Sequence, residues 1–393
     1  MKYILHFSVI ILYLFLHSCR NSEDRKMNAQ VTQHCNHPAP VKRSTDSKLK
    51  IKGDRFFILD DSLVVTAQSQ VQYLPKRRSL AVLDSYFSRI AFFDVQSGKQ
   101  NGNIIFKKED IPHKIDGFLI TEQNSILLFN YSEKYIYTLD SKGSVTNVVT
   151  MLHKKKGGML DGNPSPNPCN ASPFHLAGDT LTFTGYLYGE HDLEPFDRRF
   201  IRGKVDLLSG DCISDIIYPN IYRETNWGGD YYRIPYTCYL EDGTSFISLP
   251  AEHMIMKVER SGKLSYVNGG PSQRICVNSM GFRKEMLKHG QRDDLILKHY
   301  QDNYSYKNIM YLSNKQRIIR ILELPNTSEA GALPVTKKSK LLIFNPEFEF
   351  MDETILPEDL STDNYFITTE GIFFLNLTNK DENKAHYTLL SFD

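Results

Sequence analysis

The chain of 393 residues lacks the linear motifs by which many enzymes are recognised. It contains no H-E-x-x-H zinc motif, no G-x-S-x-G nucleophile elbow, no G-x-x-x-x-G-K phosphate loop, no G-x-G-x-x-G and no EF-hand loop. A closed β fold assembles its site from residues that lie far apart in sequence, so these absences weaken an enzymatic interpretation without excluding it. They favour a binding protein, and they point to no cofactor.

Neither sign of charge is in marked excess, since the formal net charge is +1. A protein that binds nucleic acid usually carries a basic excess, so we expect no nucleic-acid partner. There is one tryptophan, whereas tyrosine and phenylalanine number 22 and 23. Aromatic residues fit the pleated, half-buried surface of a sheet, so this composition favours β structure.

Long apolar runs are absent except at the N-terminus, where residues 4–16 are apolar apart from His6 and Ser8. Thirteen residues are too few to span a bilayer, which needs about 20, but they suit the core of a signal peptide. Ser18 before Cys19 resembles a bacterial lipobox, in which the cysteine is diacylated. We predict a signal peptide at residues 1–18, a lipidated Cys19 and a polar, flexible tether to residue 48. The alternative is an ordinary secretory signal that happens to contain a cysteine.

The cysteines show no C-x-x-C pair. Six cysteines less Cys19 leave five, an odd number, and their spacing assigns no bridge. His34, Cys35 and His37 are metal-ligand types, but they fall in the predicted tether, where nothing holds a ligand set in place. We therefore predict no metal site. The expected location is the outer membrane of a cell envelope, on its periplasmic or surface side.

Internal repetition is the most informative feature of the chain. Each repeat reads as strand, polar corner, strand, acidic residue, glycine turn and next strand, which is the β-meander of a propeller blade. The three clearest copies occupy residues 80–98, 126–143 and 246–262, with turn glycines at Gly98, Gly143 and Gly262.

Weaker copies complete an all-β, six-bladed propeller over residues 49–393, with seven blades as an alternative. Six blades give about 58 residues each, against about 40 to 50 in known repeats, and visible insertions account for the excess. Strands at both ends predict a ring closed within one blade. Residues 282–300 form one helical candidate, placed between blades four and five. The rival, two β-sandwich domains, requires a central linker, and the Pro-rich residues 163–173 read instead as a loop.

Residues 226–233 (NWGGDYYR), residues 302–306 (DNYSY) and the blade turns carry a resemblance. Together with the signal and lipobox, they resemble the six-bladed propeller lipoproteins of Bacteroidetes, specifically domain-of-unknown-function family 4221 (DUF4221). The resemblance implies a fold and a location, and it implies no chemistry.

The segment around Trp227 is the best candidate ligand site. An indole beside Asp230, Tyr231, Tyr232 and Arg233 suits a sugar or a peptide, although Trp227 equally suits the apolar end of a blade. We therefore expect a lipid-anchored binding module for a glycan, peptide or envelope protein. The alternative is a glycan hydrolase or lyase with its site in the central channel, which predicts titratable groups from several blades at one channel mouth.

Overall fold

A computed structural model describes residues 31–38, 40, 48–153, 163–186, 199–281, 292–326 and 337–392. Six sheets are arranged as the blades of a propeller, antiparallel apart from one short parallel pairing at an edge, and helix makes up about 5% of the described residues. The signal peptide, Cys19 and most of the predicted tether lie outside the described residues. Within the described ranges, no helix is both long enough and apolar enough to cross a membrane.

The strands and helices follow one another blade by blade. Before the first blade come β1 (Gln33–Cys35) and β2 (Leu49–Ile58). Blade 1 comprises β3 (Val71–Leu74), β4 (Ser79–Asp84), β5 (Arg89–Asp94) and β6 (Gln100–Ile105). Blade 2 comprises β7 (Gly117–Ile120), β8 (Ile126–Asn130), β9 (Tyr135–Leu139) and β10 (Val145–Thr150). Blade 3 comprises β11 (Leu152–His153), β12 (Ser165–Pro166), β13 (His175–Ala177), β14 (Thr180–Tyr186), β15 (Phe200–Asp206) and β16 (Asp211–Ile217).

The second half contains the helical pieces. Helix α1 (Ile221–Glu224) and a 3₁₀ turn (Asp230–Tyr232) precede blade 4, which comprises β17 (Tyr236–Tyr239), β18 (Ser245–Ser248), β19 (Met254–Val258) and β20 (Leu264–Asn268). Strand β21 (Cys276–Asn278) and helix α2 (Arg292–Asp302) lead to blade 5, which comprises β22 (Ser305–Leu312), β23 (Arg317–Glu323), β24 (Ser339–Phe344) and β25 (Phe350–Leu356). Blade 6 contains β26 (Leu360–Ile367), β27 (Ile372–Asn376) and β28 (Lys384–Phe392).

The ring closes through the N-terminal strand. β2 pairs with β28 from Leu49 opposite Phe392 to Ile58 opposite Lys384, so it supplies the fourth strand of blade 6. This confirms the predicted closure. The described part of the predicted helix, α2, also lies between blades 4 and 5 as expected.

The core is divided among the blade interfaces, which explains why the middle strands are buried on both faces. Six clusters of buried apolar side chains lie one between each neighbouring pair of blades: 5 and 6, 6 and 1, 1 and 2, 3 and 4, 4 and 5, and 2 and 3. Burying this apolar surface is the main stabilising contribution to the fold. Six interfaces select six blades over the alternative of seven.

The repeat turns have the predicted geometry. Gly98, Gly143 and Gly262 have φ values of 68°, 87° and 88°, the left-handed region that favours glycine. In the first two of these turns the preceding aspartate caps the turn: the amide of Ser97 donates to Asp94 Oδ1 at 2.6 Å, and that of Ser144 to Asp140 Oδ1 at 2.9 Å.

One expectation needs correction. Residues 31–38, assigned from sequence to the flexible tether, are attached to the propeller. β1 pairs with β21, and a disulfide joins Cys35 to Cys276. The local sequence is polar, which suggested a tether, but its attachment comes from a cysteine 241 residues away, which local composition cannot reveal.

Candidate functional site

A central cavity of about 800 Å³ opens on one face of the propeller. Strands alternate in direction, so the starts of the first and third strands of each blade lie at this end. All six blades contribute residues to its wall. They include Gln68, Asp116, Tyr131, Cys169, Asn170, Tyr231, Tyr236, Tyr300, Lys307, Glu323 and Asp363.

The Pro-rich loop of blade 3 crosses the centre of the ring beside this cavity. Asn170 accepts a hydrogen bond from the amide of Val71 in blade 1 (2.8 Å) and donates to the carbonyl of Asp363 in blade 6 (3.0 Å). The carbonyl of Ala171 accepts from the amide of Thr237 in blade 4 (2.8 Å). Because one loop reaches three other blades, it lies across the axis and narrows the channel into a pocket. The loop predicted for residues 163–173 therefore forms part of the cavity wall.

Two tyrosine rings form what we call the shelf: Tyr231, from the 3₁₀ turn before blade 4, and Tyr300, from α2. Their rings stack with centroids 4.3 Å apart and an interplanar angle of 12°. Tyr231 is 40% exposed. The ammonium of Lys337 lies 4.1 Å from the Tyr300 ring centroid. An exposed aromatic ring held flat by a second ring offers a rigid apolar surface at the cavity.

Beside the shelf lies a group of charged side chains, of which Glu323 and Lys337 are buried and Asp363 is exposed. Lys307 Nζ is 3.2 Å from Glu323 Oε1 and 3.2 Å from Asp363 Oδ1. Burial alone would lower the pKa of Lys307, but these carboxylates raise it well above its ordinary value. The lysine is therefore charged at neutral pH and paired with both carboxylates.

Glu323 is the most heavily hydrogen-bonded member of this group. Its Oε2 accepts from the hydroxyls of Tyr300 (2.5 Å) and Ser305 (2.6 Å), and Lys337 Nζ is 3.9 Å away. Burial acts to raise the pKa of Glu323, but Lys307, Lys337 and the two hydroxyls outweigh it and lower that pKa. Burial lowers the pKa of Lys337 to about 8. Glu323 is thus an ionised acceptor, which does not suit it to act as a general acid.

The opposite wall, from blade 2, repeats the combination of an aromatic ring with paired charges. Lys114 Nζ and Asp116 Oδ1 are 3.6 Å apart, and Asp116 Oδ2 accepts from the amide of Tyr131 at 2.7 Å. Lys134 Nζ lies 3.7 Å from the Tyr131 ring centroid. Both walls therefore offer hydrogen-bonding groups next to an aromatic ring.

Cys169 is the thiol of the cavity wall. Burial raises its pKa to about 11, so it is protonated at neutral pH and a weak nucleophile. No histidine is among the residues described as lining the cavity.

The candidate ligand residues predicted from sequence fall into two sets. Trp227, Tyr232 and Arg233 are buried, with exposures of 1%, 0% and 1%, and the indole Nε1 of Trp227 donates to the carbonyl of Ile221 at 2.9 Å. Asp230 is exposed and lies 3.5 Å from Arg233 Nη1. Tyr231 is the one member of the set that lines the cavity.

The paired glycines of this segment are explained by a close approach of α2. Gly228 and Gly229 have φ values of 110° and 64°. A Cβ on Gly228 would lie 2.7 Å from His299 Cδ2, and one on Gly229 would lie 3.1 Å from Ile296. The glycines let the loop pack against the helix that carries Tyr300, and so they bring the two halves of the shelf together.

The charged residues of the cavity were missed from sequence. Lys307 and Asp363 lie in β22 and β26, which are the innermost strands of their blades. The signal was present as a lysine and an aspartate inside strand-like apolar runs. These two residues can be assigned to the cavity only when their strands are known to face the channel.

Comparison with known proteins supports the fold. No family model and no curated protein matches the sequence. A DUF4221 family member from Bacteroides vulgatus has a similar structure, with a TM-score of 0.70 and 15% identity over 89% of this chain and 99% of that one. A Bacteroides fragilis protein predicted to be exported gives a TM-score of 0.52 and 11% identity over 90% and 98% of the two chains. Virginiamycin B lyase from Staphylococcus aureus scores 0.42 with 9% identity over 87% and 99%, too low to carry an argument about chemistry. The chain is a six-bladed β-propeller whose resemblance to DUF4221 is confirmed at the level of fold.

Proposed function

We propose that this chain is an extracytoplasmic binding module whose central cavity takes a glycan fragment. The observation that carries the proposal is the shelf, an exposed Tyr231 ring stacked on Tyr300 beside the paired charges of Lys307, Glu323 and Asp363. Sugars present an apolar face of C–H groups and a rim of hydroxyls. An aromatic ring next to ionised hydrogen-bonding groups complements both features.

Charge balance favours a neutral ligand over an ion. The basic cavity residues Lys114 and Lys307 are each paired with carboxylates in the wall, so no large field of one sign acts on a bound molecule. A volume of about 800 Å³ falls within the range of pockets that enclose drug-sized ligands. A short oligosaccharide fits these requirements better than a phosphate or a metal ion.

The enzymatic alternative rests on the titratable groups that three blades bring to the cavity. Two features favour binding over catalysis: Glu323 has a lowered pKa, and Cys169 is held as a thiol. Glycoside hydrolysis requires one carboxylic acid that stays protonated at working pH. Glu323 does not meet this requirement.

The experiment measures binding of short cello-, xylo-, manno- and malto-oligosaccharides by isothermal titration calorimetry, with short neutral peptides as the comparison class. Tyr231→Ala should weaken oligosaccharide binding about tenfold, because a stacked aromatic surface contributes about 1 to 1.5 kcal/mol. Tyr86→Ala is the matched control, since Tyr86 is 85% exposed in the β4–β5 turn and lies outside the cavity wall.

Several outcomes would overturn this proposal. They are binding of peptides alone, equal losses in both variants, or no binding of any oligosaccharide. Mass spectrometry of the same mixtures would detect shortened sugars, and their appearance would establish the enzyme in place of the binding module.

We further propose that the module is held at the membrane by lipid on Cys19. The disulfide between Cys35 and Cys276 supports an oxidising compartment, in keeping with export. Cys19→Ala should release the protein from the membrane fraction of expressing cells. Retention of that variant in the membrane would contradict the anchor.

A further inference from the structure

The N-terminal residues 31–38 and β21 form a unit that we call the clasp. Besides the disulfide and the strand pairing, Asn36 holds three backbone groups. Its Nδ2 donates to the carbonyls of Pro271 and Gln273, both at 3.1 Å, and its Oδ1 accepts from the amide of Ile275 at 2.8 Å. Asn36 is 4% exposed. This bonding fixes the segment to the chain that follows blade 4.

The residues that follow β21 connect the clasp by hydrogen bonds to the loop that carries Tyr231. The amide of Ser279 donates to the carbonyl of Thr32, and the amide of Thr32 donates to Ser279 Oγ, both at 2.8 Å. The next amide, that of Met280, donates to the carbonyl of Asn226 at 2.9 Å. Asn226 is the residue before Trp227, whose ring centroid lies 6.3 Å from that of His34 in a T-shaped arrangement.

The clasp also contacts the second half of the shelf. Asn278 Nδ2 donates to Asn303 Oδ1 at 2.8 Å, and Asn303 Nδ2 donates to the carbonyl of His299 in α2 at 2.9 Å. Met280 packs against Ile296 on the same helix. Strand β21 and the two residues that follow it therefore contact both elements that supply the shelf.

We propose that the clasp positions the shelf, so that the Cys35–Cys276 disulfide sets the geometry of the cavity on its blade 4 and blade 5 side. The disulfide fixes β1 on β21. Asn278 of β21 holds Asn303, and Met280, two residues beyond β21, holds Asn226. Without the disulfide, β1 is retained by three residues of strand pairing and by the hydrogen bonds of Thr32, His34 and Asn36. Both the loop at residues 226–233 and α2 then lose part of their support. The consequence for ligand binding rests on the proposed function, whereas the effect on the loop and helix does not.

The test is amide hydrogen exchange, read by mass spectrometry, on the full chain and on its Cys35→Ser, Cys276→Ser double variant. Peptides covering residues 226–233 and 292–303 should exchange about tenfold faster in the variant, whereas residues 79–94 of blade 1 should be unchanged. Cys212→Ala is the control, because that buried thiol lies in blade 3 away from the clasp.

A second route covers the case in which the double variant fails to fold. The folded, oxidised protein is treated with dithiothreitol, which gives two electrons and two protons to the Cys35–Cys276 bond and becomes a cyclic disulfide. The same peptides should then show faster exchange. Faster exchange confined to residues 31–38, with residues 226–233 unchanged, would overturn the proposal.

Binding separates this inference from the proposed function. If the wild-type chain binds no oligosaccharide but its loop still loosens on reduction, the clasp stands and the glycan proposal fails. If oligosaccharides bind with equal affinity to the oxidised and reduced chains, the clasp does not set the cavity.

Discussion

Blade 1 and the region between blades 4 and 5 are built by opposite means. In blade 1, four-residue connections join β3 to β4 and β4 to β5, and aspartate side chains cap two of its turns: Asp84 Oδ1 accepts from the amide of Phe87, and Asp94 Oδ1 from that of Ser97. Between blades 4 and 5, the chain runs from Asn268 to Ser305 with β21 and α2 inserted. That region is held by buried polar groups and a disulfide.

The short blade repeats and the insertions therefore have separate structural roles. Short repeats bury apolar strands between neighbouring blades and so form the ring. The insertions, together with the N-terminal strand, place Tyr231 and Tyr300 at the cavity. Polar networks fix positions more strictly than apolar contacts do, because each unmet hydrogen bond carries a cost. The site therefore lies where the repeat is least regular.

The largest expected effect comes from Arg320, a fully buried cation that links blade 5 to blade 4. Its guanidinium donates to the carbonyls of His253 (2.8 Å) and Glu252 (2.7 Å) and lies 3.6 Å from the Tyr306 ring centroid. Burial lowers its pKa to about 10, which still leaves it charged at neutral pH. Arg320→Met should cost about 4 kcal/mol of unfolding free energy, measured in guanidinium chloride, because those carbonyls lose their donors.

Arg317→Met is the control on the same strand. Arg317 is less deeply buried and donates to the carbonyls of Lys315 and Gln316. We expect a loss of less than about 1 kcal/mol. Equal losses at both positions would contradict the view that the polar network, rather than strand β23 itself, stabilises this side of the ring.

The repeat turns provide the next test, with two glycines of matched backbone geometry. Gly98 and Gly262 both have positive φ, so alanine costs about 1 kcal/mol at either position. A Cβ on Gly98 would lie 1.8 Å from the carbonyl oxygen of Phe56 in β2, whereas one on Gly262 meets nothing within 4 Å. Gly98→Ala should therefore destabilise the protein by about 3 kcal/mol in chemical denaturation and Gly262→Ala by about 1 kcal/mol. Similar values for the two would show that contact with the closing strand does not matter.

These elements also show what the sequence can predict. The turn glycines and the place of α2 follow from local patterns, because each depends on a few neighbouring residues. The ring closure joins distant residues, but it follows from the presence of strand-like segments at both ends of the repeats. Tyr231 was among the residues chosen from sequence, but Lys307, Glu323 and Asp363 were not. They converge from two blades that only the closed ring brings together. The attachment of His34 and Cys35 was missed for a similar reason, since their partners lie more than 200 residues away.

The smallest effect concerns pH and tests the same irregular region. His253 is buried, its Nδ1 lies 2.7 Å from the Tyr306 hydroxyl, and its Nε2 lies 2.9 Å from the carbonyl of His34. Burial lowers its pKa to about 4, and the charges of His34 and Arg320 act in the same direction, whereas the hydrogen bond to the His34 carbonyl and the charge of Glu252 act against it. An unfolded histidine has a pKa near 6.5. Between about pH 6.5 and 4 the unfolded chain therefore binds a proton that the folded chain does not. The unfolding free energy decreases as the pH is lowered through this range.

This contribution should amount to about 2 kcal/mol between pH 7 and pH 4.5. His253→Gln keeps a polar side chain and removes the titration, so its unfolding free energy should decline less over that interval, by the same amount. His113→Gln, in the connection between blades 1 and 2, should decline as the wild type does. If His253→Gln and the wild type lose stability in parallel, the buried histidine is not the acid-sensitive group of this region. The neighbouring carboxylate of Glu252, whose pKa is lowered in the fold although burial acts to raise it, would then be the next group to examine.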